Sequence, residues 1–153
     1  MKEDRVAKAI ALFKEGYNCS QSVVAAFADE YGFTREQALR MAASFGGGIG
    51  RMRETCGAAC GMFLLAGLET GPTEGSDREG KAANYALVQE LAEEFKRRNG
   101  ALRCADLLGL SKKEPVISTP EARTEQYYAK RPCVKMVEEA AKIWSEYLEM
   151  HKK

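Results

Sequence analysis

The sequence predicts an all-α fold, a single-domain bundle of about five or six main helices around one apolar helix. Apolar residues recur at spacings of three and four along most of the chain, and no segment shows the two-residue alternation of a half-buried strand. The length of 153 residues suits one domain, and the 45% hydrophobic fraction is typical of a globular protein. We therefore expect residues 1–153 to form one helical domain whose last few residues fray.

Three helices are predicted in the first third of the chain. Asn18 and Ser20 are candidate caps for the second helix, and Gly32 is a stop signal for it. Thr34 and Gln37 form a capping-box pair at the start of the third. The three apolar stripes are Val6, Ile10 and Phe13; Val23, Val24, Phe27 and Tyr31; and Leu39, Met41 and Phe45.

The middle of the chain predicts a central helix and a long exposed one. Residues 57–68 are almost wholly apolar, which is typical of a helix surrounded by other helices. Turn residues at 71–77 separate it from the long helix, which has an apolar stripe and a stop at Gly100. That stripe is Ala83, Leu87, Leu91 and Phe95.

The last third predicts a short turn of helix, a polar stretch and a final helix. The short turn covers residues 104–108, and Pro115 and Pro120 lie in the polar stretch. Residues 116–118 are the only candidate for extended structure and are too few for a sheet. The last helix starts near Pro132, with Val134, Val137, Ala141, Trp144 and Leu148 on its stripe. We expect a core that includes Phe63, Leu64, Leu65, Leu87, Leu91, Val137 and Trp144.

Charge and hydropathy exclude several classes of partner. Lysine and arginine number 23 against 22 acidic residues, so no basic surface for nucleic acid is expected. The longest apolar stretch has about 11 residues, whereas a membrane-spanning helix needs about 20. The N-terminal apolar run is interrupted by Lys8 and does not match an export signal. We expect a cytoplasmic protein with no membrane span, and the sequence predicts no oligomeric state.

The five cysteines are the candidate functional residues. The single histidine, His151, lies among the last three residues, which argues against a cysteine hydrolase and against mixed Cys/His zinc sites. In a reducing cytosol an odd number of cysteines indicates thiols or metal ligands and not a set of structural disulfides.

Cys56 gives the strongest local signal. It follows Arg51 and Arg53 and opens the central helix, and both features would lower the pKa of its thiol. Gly57 and Gly61 lie on one face of that helix. They either leave room beside the sulfur for a ligand or second chain, or permit close helix packing.

The other cysteines also lie near predicted helix starts. Cys133 follows Pro132 and the basic pair at 130–131, while Cys60 lies one turn after Cys56 and is poorly aimed for a disulfide with it. The glycine-rich segment 45–51 lacks the features of a nucleotide-binding loop, so we expect it either to be a flexible connection or to let the backbone pass close to another segment. At least three of four sulfurs are predicted to converge near one cavity beside Gly57 and residues 46–50; the four are Cys19, Cys56, Cys104 and Cys133.

Residues 18–23, 45–48 and 56–61 together resemble the C_GCAxxG_C_C family of putative redox-active proteins, whose core is a CGAxxG motif. Cys104 and Cys133 fit the two later cysteines of that family, and Cys60 occupies a variable position of the motif. The family is described from bacteria and archaea. The resemblance implies a redox role for the cysteines.

Three functions stay open at this point. The first is a thiol-dependent oxidoreductase or electron-transfer protein. In it, Cys56 attacks a disulfide or small oxidant, and the resolving thiol is Cys19, Cys104 or Cys133. The redox partner is not identified by the sequence. In the second, four thiolates bind zinc or an iron–sulfur cluster; the ligands would be Cys19, Cys56, Cys104 and Cys133. The third is a non-catalytic helical interaction module with buried cysteines.

Overall fold

The computed structural model describes residues 4–110, 116–130 and 132–152. Within these ranges the chain forms eight α-helices and no strand, which confirms the all-α prediction. Six of the helices have eight residues or more. The helices are α1 (Arg5–Lys14), α2 (Cys19–Phe27), α3 (Arg35–Ala42), α4 (Gly57–Thr70), α5 (Arg78–Asn99), α6 (Cys104–Leu108), α7 (Glu125–Lys130) and α8 (Cys133–Met150).

Local capping fixes the ends of these helices. Asn18 and Gln21 form a capping box at α2, as do Thr34 and Gln37 at α3. A short 3-10 turn follows α2 and ends at Gly32 in the left-handed conformation. Gly100 ends α5 in the same conformation. Ser20, the second candidate cap, instead lies inside α2 and is buried.

The apolar helix α4 lies at the centre and packs against α2, α5 and α8, while α1 packs against α2 and α8. Gly61 brings α4 close to α2, because a Cβ at this position would lie 3.0 Å from the Ser20 carbonyl oxygen and 3.0 Å from the Val23 Cβ. Five of the seven predicted core residues are buried: Leu65, Leu87, Leu91, Val137 and Trp144.

Two core predictions and two stripe positions, Met41 in α3 and Ala83 in α5, were wrong; Met41 is 39% exposed. Phe63 and Leu64 are only half-buried and pack against the edge of the core. The reason is that α4 has an exposed side toward its C-terminus, where Gly67 and Leu68 face solvent. Ala83 is exposed as well, since the buried part of α5 begins at Leu87.

The segment before α8 also differs from the prediction. The chain forms the short helix α7 there, which has six residues and is too short to show an apolar period. Residues 116–118 are exposed and belong to no strand, and Pro115 lies outside the described residues. No helix in the described ranges is long and apolar enough to cross a membrane.

Candidate functional site

The start of α2 positions Cys19. The Asn18 side chain accepts a hydrogen bond from the Gln21 amide and donates one, over 3.0 Å, to the carbonyl oxygen of Ala43. Gly46 is required beside it, because a Cβ there would lie 2.5 Å from the Asn18 side chain. One asparagine therefore caps α2 and joins Cys19 to the end of the α3 segment.

The glycine-rich loop after α3 adopts an unusual backbone. Five consecutive residues, 47–51, have positive φ, and so does Arg53. Such angles are strained for non-glycine residues, above all for the β-branched Ile49 (φ 67°). Gly48 allows the loop to approach α6, because a Cβ there would lie 2.5 Å from the Cβ of Cys104. The predicted close approach of this loop is confirmed.

A short antiparallel bridge between Thr55 and Arg103 joins the starts of α4 and α6. The Cys56 amide donates to the Leu102 carbonyl oxygen over 2.8 Å, and the Cys104 amide donates to that of Glu54 over 2.6 Å. Because side chains alternate across an extended segment, those of Cys56 and Cys104 share one face of the bridge.

These elements surround a cavity of about 420 Å³. All four cysteines at the predicted helix starts line it, beside Gly57 and four residues of the 46–50 loop. The predicted convergence is confirmed. The cysteines are Cys19, Cys56, Cys104 and Cys133; the polar, charged and aromatic residues of the wall include Asn18, Arg51, Arg53, Ser118, Glu121, Arg123 and Tyr127.

Cys19 and Cys133 interact with each other in this cavity. The Cys19 thiol hydrogen-bonds to Cys133, and this bond, followed by burial and by the charge that the other three cysteines carry when they ionise, holds the pKa of Cys19 well above its usual range. Burial raises the pKa of Tyr127, as do the charge of Cys133 and a hydrogen bond to it. Cys133 therefore lies within hydrogen-bonding reach of both the Cys19 thiol and the Tyr127 hydroxyl.

The prediction of a lowered pKa at Cys56 was wrong. Burial raises the pKa of its thiol to about 12. The amides of Ala59 and Ala58, at the start of α4, act in the opposite direction as predicted, but they do not compensate for the desolvation.

The two predicted guanidinium partners of Cys56 have other contacts. Arg53 Nη1 donates to Cys104 Sγ over 3.6 Å. Arg51 donates to the carbonyl oxygens of Ile117, over 2.9 Å, and Thr119. The basic residues predicted beside Cys133 are untested, because Arg131 and the side chain at position 130 lie outside the described part of the chain.

The comparison with protein families bears directly on this group of cysteines. Residues 17–147 match the model of the family described as "Putative redox-active protein (C_GCAxxG_C_C)". The chain belongs to this family. Its matched segment contains every cysteine of the cavity, and its description assigns these proteins a redox activity in general terms. No curated protein and no solved structure matches the chain.

The glycines of the family motif serve packing, and Gly57 also lines the cavity. A Cβ at Gly57 would lie 2.7 Å from the carbonyl oxygen of Phe45 and 3.4 Å from Cys19 Cβ. Cys60, at the variable position of the motif, does not line the cavity; its thiol donates to the Thr55 carbonyl oxygen over 3.7 Å. Burial raises the pKa of Cys60 to about 11.

Sequence reasoning missed Tyr127 and Arg123. The Arg123 guanidinium lies 5.0 Å from the centre of the Tyr127 ring and donates to the carbonyl oxygens of Phe13 and Tyr17, over 2.8 and 2.9 Å. These contacts place α7 over the cysteines. Their partners lie more than 100 residues earlier, so the only local signal was the arginine–tyrosine spacing of four.

The metal-binding alternative has no support in the donor geometry. Within the described ranges, no group of three or more cysteine, histidine or carboxylate side chains is arranged to hold a metal ion. Two of the four cysteines of the family, Cys19 and Cys133, instead hydrogen-bond to each other.

Proposed function

We propose that the protein performs thiol–disulfide exchange, with Cys133 as the attacking thiolate and Cys19 as the resolving thiol. The family supports a redox role in general. The hydrogen bond between the Cys19 thiol and Cys133, inside a cavity lined by four cysteines, is the observation that favours this chemistry over the alternatives.

Three properties of Cys133 favour it as the nucleophile. Its sulfur accepts hydrogen bonds from the Cys19 thiol and the Tyr127 hydroxyl, which stabilise a thiolate. It is half-buried, whereas the other three cysteines of the cavity are buried. It is also the first residue of the 18-residue helix α8, where the helix dipole favours an anion.

The proposed reaction uses the two sulfurs in sequence. The Cys133 thiolate attacks one sulfur of a disulfide R–S–S–R; a mixed disulfide forms and one RS⁻ leaves. The Cys19 thiol loses its proton to the departing thiolate or to solvent and attacks Cys133 Sγ, which releases the second RS⁻. The substrate gains two electrons, and Cys19 and Cys133 lose two as they form their disulfide.

The experiment is disulfide mapping by mass spectrometry. The reduced protein and its Cys133→Ser, Cys19→Ser and Cys60→Ser variants are oxidised with diamide, and their remaining thiols are alkylated. We expect a Cys19–Cys133 disulfide in the parent and in the Cys60→Ser control, whose cysteine lies outside the cavity. A protein that keeps five free thiols after oxidation, or that joins only other pairs, would contradict the proposal.

A further inference from the structure

A small-molecule disulfide can reach the sulfurs of the cavity more easily than a disulfide on a folded protein can. Cys19, Cys56 and Cys104 are 9%, 5% and 7% exposed. A disulfide on the surface of a folded protein would have to bring its flanking backbone into this space. The cavity volume of about 420 Å³ lies in the range of small-molecule sites, roughly 300–1,000 Å³.

The charges around the cavity have one predominant sign. Among the described wall residues, three arginines face two negative groups, the Glu121 carboxylate and the proposed Cys133 thiolate. The arginines are Arg51, Arg53 and Arg123. Concave sites lined by one sign of charge concentrate ligands of the opposite sign. An anionic ligand therefore suits this cavity better than a neutral or cationic one.

Two of these arginines, Arg53 and Arg123, are not paired with a carboxylate in the described part of the chain. Arg53 donates to the sulfur of Cys104, and Arg123 donates to two backbone carbonyl oxygens. Neither forms an ion pair with a carboxylate within the described ranges. Guanidinium groups bind carboxylates with well-defined geometry, often through two hydrogen bonds.

The apolar part of the wall suits the rest of such a ligand. Leu107, Leu108 and Met136 line the cavity together with the Tyr127 ring. A short aliphatic chain between the carboxylate and the sulfur would contact these side chains, and its disulfide would then reach Cys133, which lies on the same cavity wall.

We propose that the cavity binds a small disulfide with carboxylate groups, and that its arginines select this substrate over neutral and cationic disulfides. This inference rests on the proposed function and specifies its substrate class. The exchange releases two carboxylate-bearing thiols for each Cys19–Cys133 disulfide formed, so atoms and electrons balance as above.

The test compares three disulfides of matched size. These are 3,3′-dithiodipropionate, bis(2-hydroxyethyl) disulfide and cystamine, which are anionic, neutral and cationic. The rate of Cys19–Cys133 formation with each is divided by its rate with a small free thiol, which removes differences in intrinsic reactivity. We expect the anionic disulfide to exceed the cationic one by about tenfold or more, with a ratio that falls as salt is added.

Arginine variants identify which side chains cause the preference for the anionic disulfide. Arg53→Gln and Arg51→Gln should each lower the anionic-to-cationic ratio several-fold. Arg103→Gln is the matched control, since Arg103 precedes Cys104 but its side chain is exposed, pairs with Glu54 and does not line the cavity. Circular dichroism verifies that each variant keeps its helices.

The outcomes separate this inference from the proposed function. Equal normalised rates, a preference for cystamine, or a selectivity that Arg103→Gln removes as strongly as Arg53→Gln would overturn the anionic-substrate inference and leave thiol–disulfide exchange intact. Faster reaction with a folded protein's disulfide than with all three small molecules would overturn it as well. Failure of diamide to produce any Cys19–Cys133 disulfide would overturn the proposed function and the inference together.

Discussion

Arg53 and Cys104 are in contact although 51 positions separate them: the guanidinium Nη1 donates to the sulfur over 3.6 Å. Helices α4 and α5 lie between them in the chain, and the bridge from Thr55 to Arg103 aligns the two segments. The cation that the sequence placed next to Cys56 therefore lies against the sulfur of Cys104, where a positive charge favours ionisation of the thiol.

We expect Arg53→Gln to slow alkylation of Cys104 by about tenfold at neutral pH, because the variant removes a hydrogen bond from a charged donor. The measurement is the rate of iodoacetamide labelling at each cysteine, followed by peptide mass spectrometry. Arg103→Gln removes the same charge from an exposed neighbour and should leave the rate unchanged. Equal effects of both variants would contradict a direct role of Arg53.

The order of thiol reactivity follows from burial and hydrogen bonding. At pH 7.5 we expect Cys133 to be alkylated first among the cavity cysteines, and Cys56 to react slowly because burial raises its pKa to about 12. Time-resolved labelling of the reduced protein measures both rates. Labelling of Cys56 before Cys133 would show that the amides at the start of α4 lower the pKa of Cys56 more than burial raises it.

Tyr127→Phe tests the hydroxyl that bonds to Cys133. The variant keeps the ring and its contact with Arg123, but it removes one donor to the thiolate. We expect the pH profile of Cys133 labelling to move to higher pH, while the melting temperature changes little. Tyr85→Phe is the control, since Tyr85 is exposed. An unchanged profile in Tyr127→Phe would exclude this stabilisation.

Two glycines of α4 should respond to alanine in opposite directions. Gly61→Ala would place a Cβ 3.0 Å from backbone and side-chain atoms of α2 and should destabilise the protein by about 1–3 kcal/mol. Gly67→Ala meets no atom within 4 Å and should stabilise the helix by about 0.5–1 kcal/mol. Urea unfolding measures both. A neutral Gly61→Ala would show that α2 and α4 can separate at little cost.

Stability should fall at alkaline pH. Burial raises the pKa of Cys56 from 9.0 to about 12 and that of Cys60 to about 11. The folded state then keeps protons that the unfolded state loses, so this stabilisation is complete below pH 9 and decreases as the pH rises through the folded values. Urea unfolding between pH 8 and 11 should show a smaller decrease for Cys60→Ala than for the parent. Identical slopes would contradict the shift at Cys60.

The helices and their ends could be predicted because the interactions that define them are local. The capping boxes at Asn18 and Thr34 connect residues three positions apart, and the stop at Gly100 depends on the backbone freedom of one residue. The same locality explains the missed helix α7. Its residues form no apolar period. Tyr128 of α7 packs edge-on against Phe13, and Arg123, just before α7, donates to the Phe13 carbonyl oxygen, so the contacts that hold this segment are made with the start of the chain.

The sequence by itself determined the all-α fold, the family and the four cysteines at helix starts. Only the tertiary structure decided that Cys19 hydrogen-bonds to Cys133, that Arg53 contacts Cys104, and that burial raises the pKa of Cys56. Helix periodicity and capping act over three or four residues and can be read along the chain. Desolvation and contacts between sulfurs depend on which distant segments pack together, so they are fixed only once the helices have assembled.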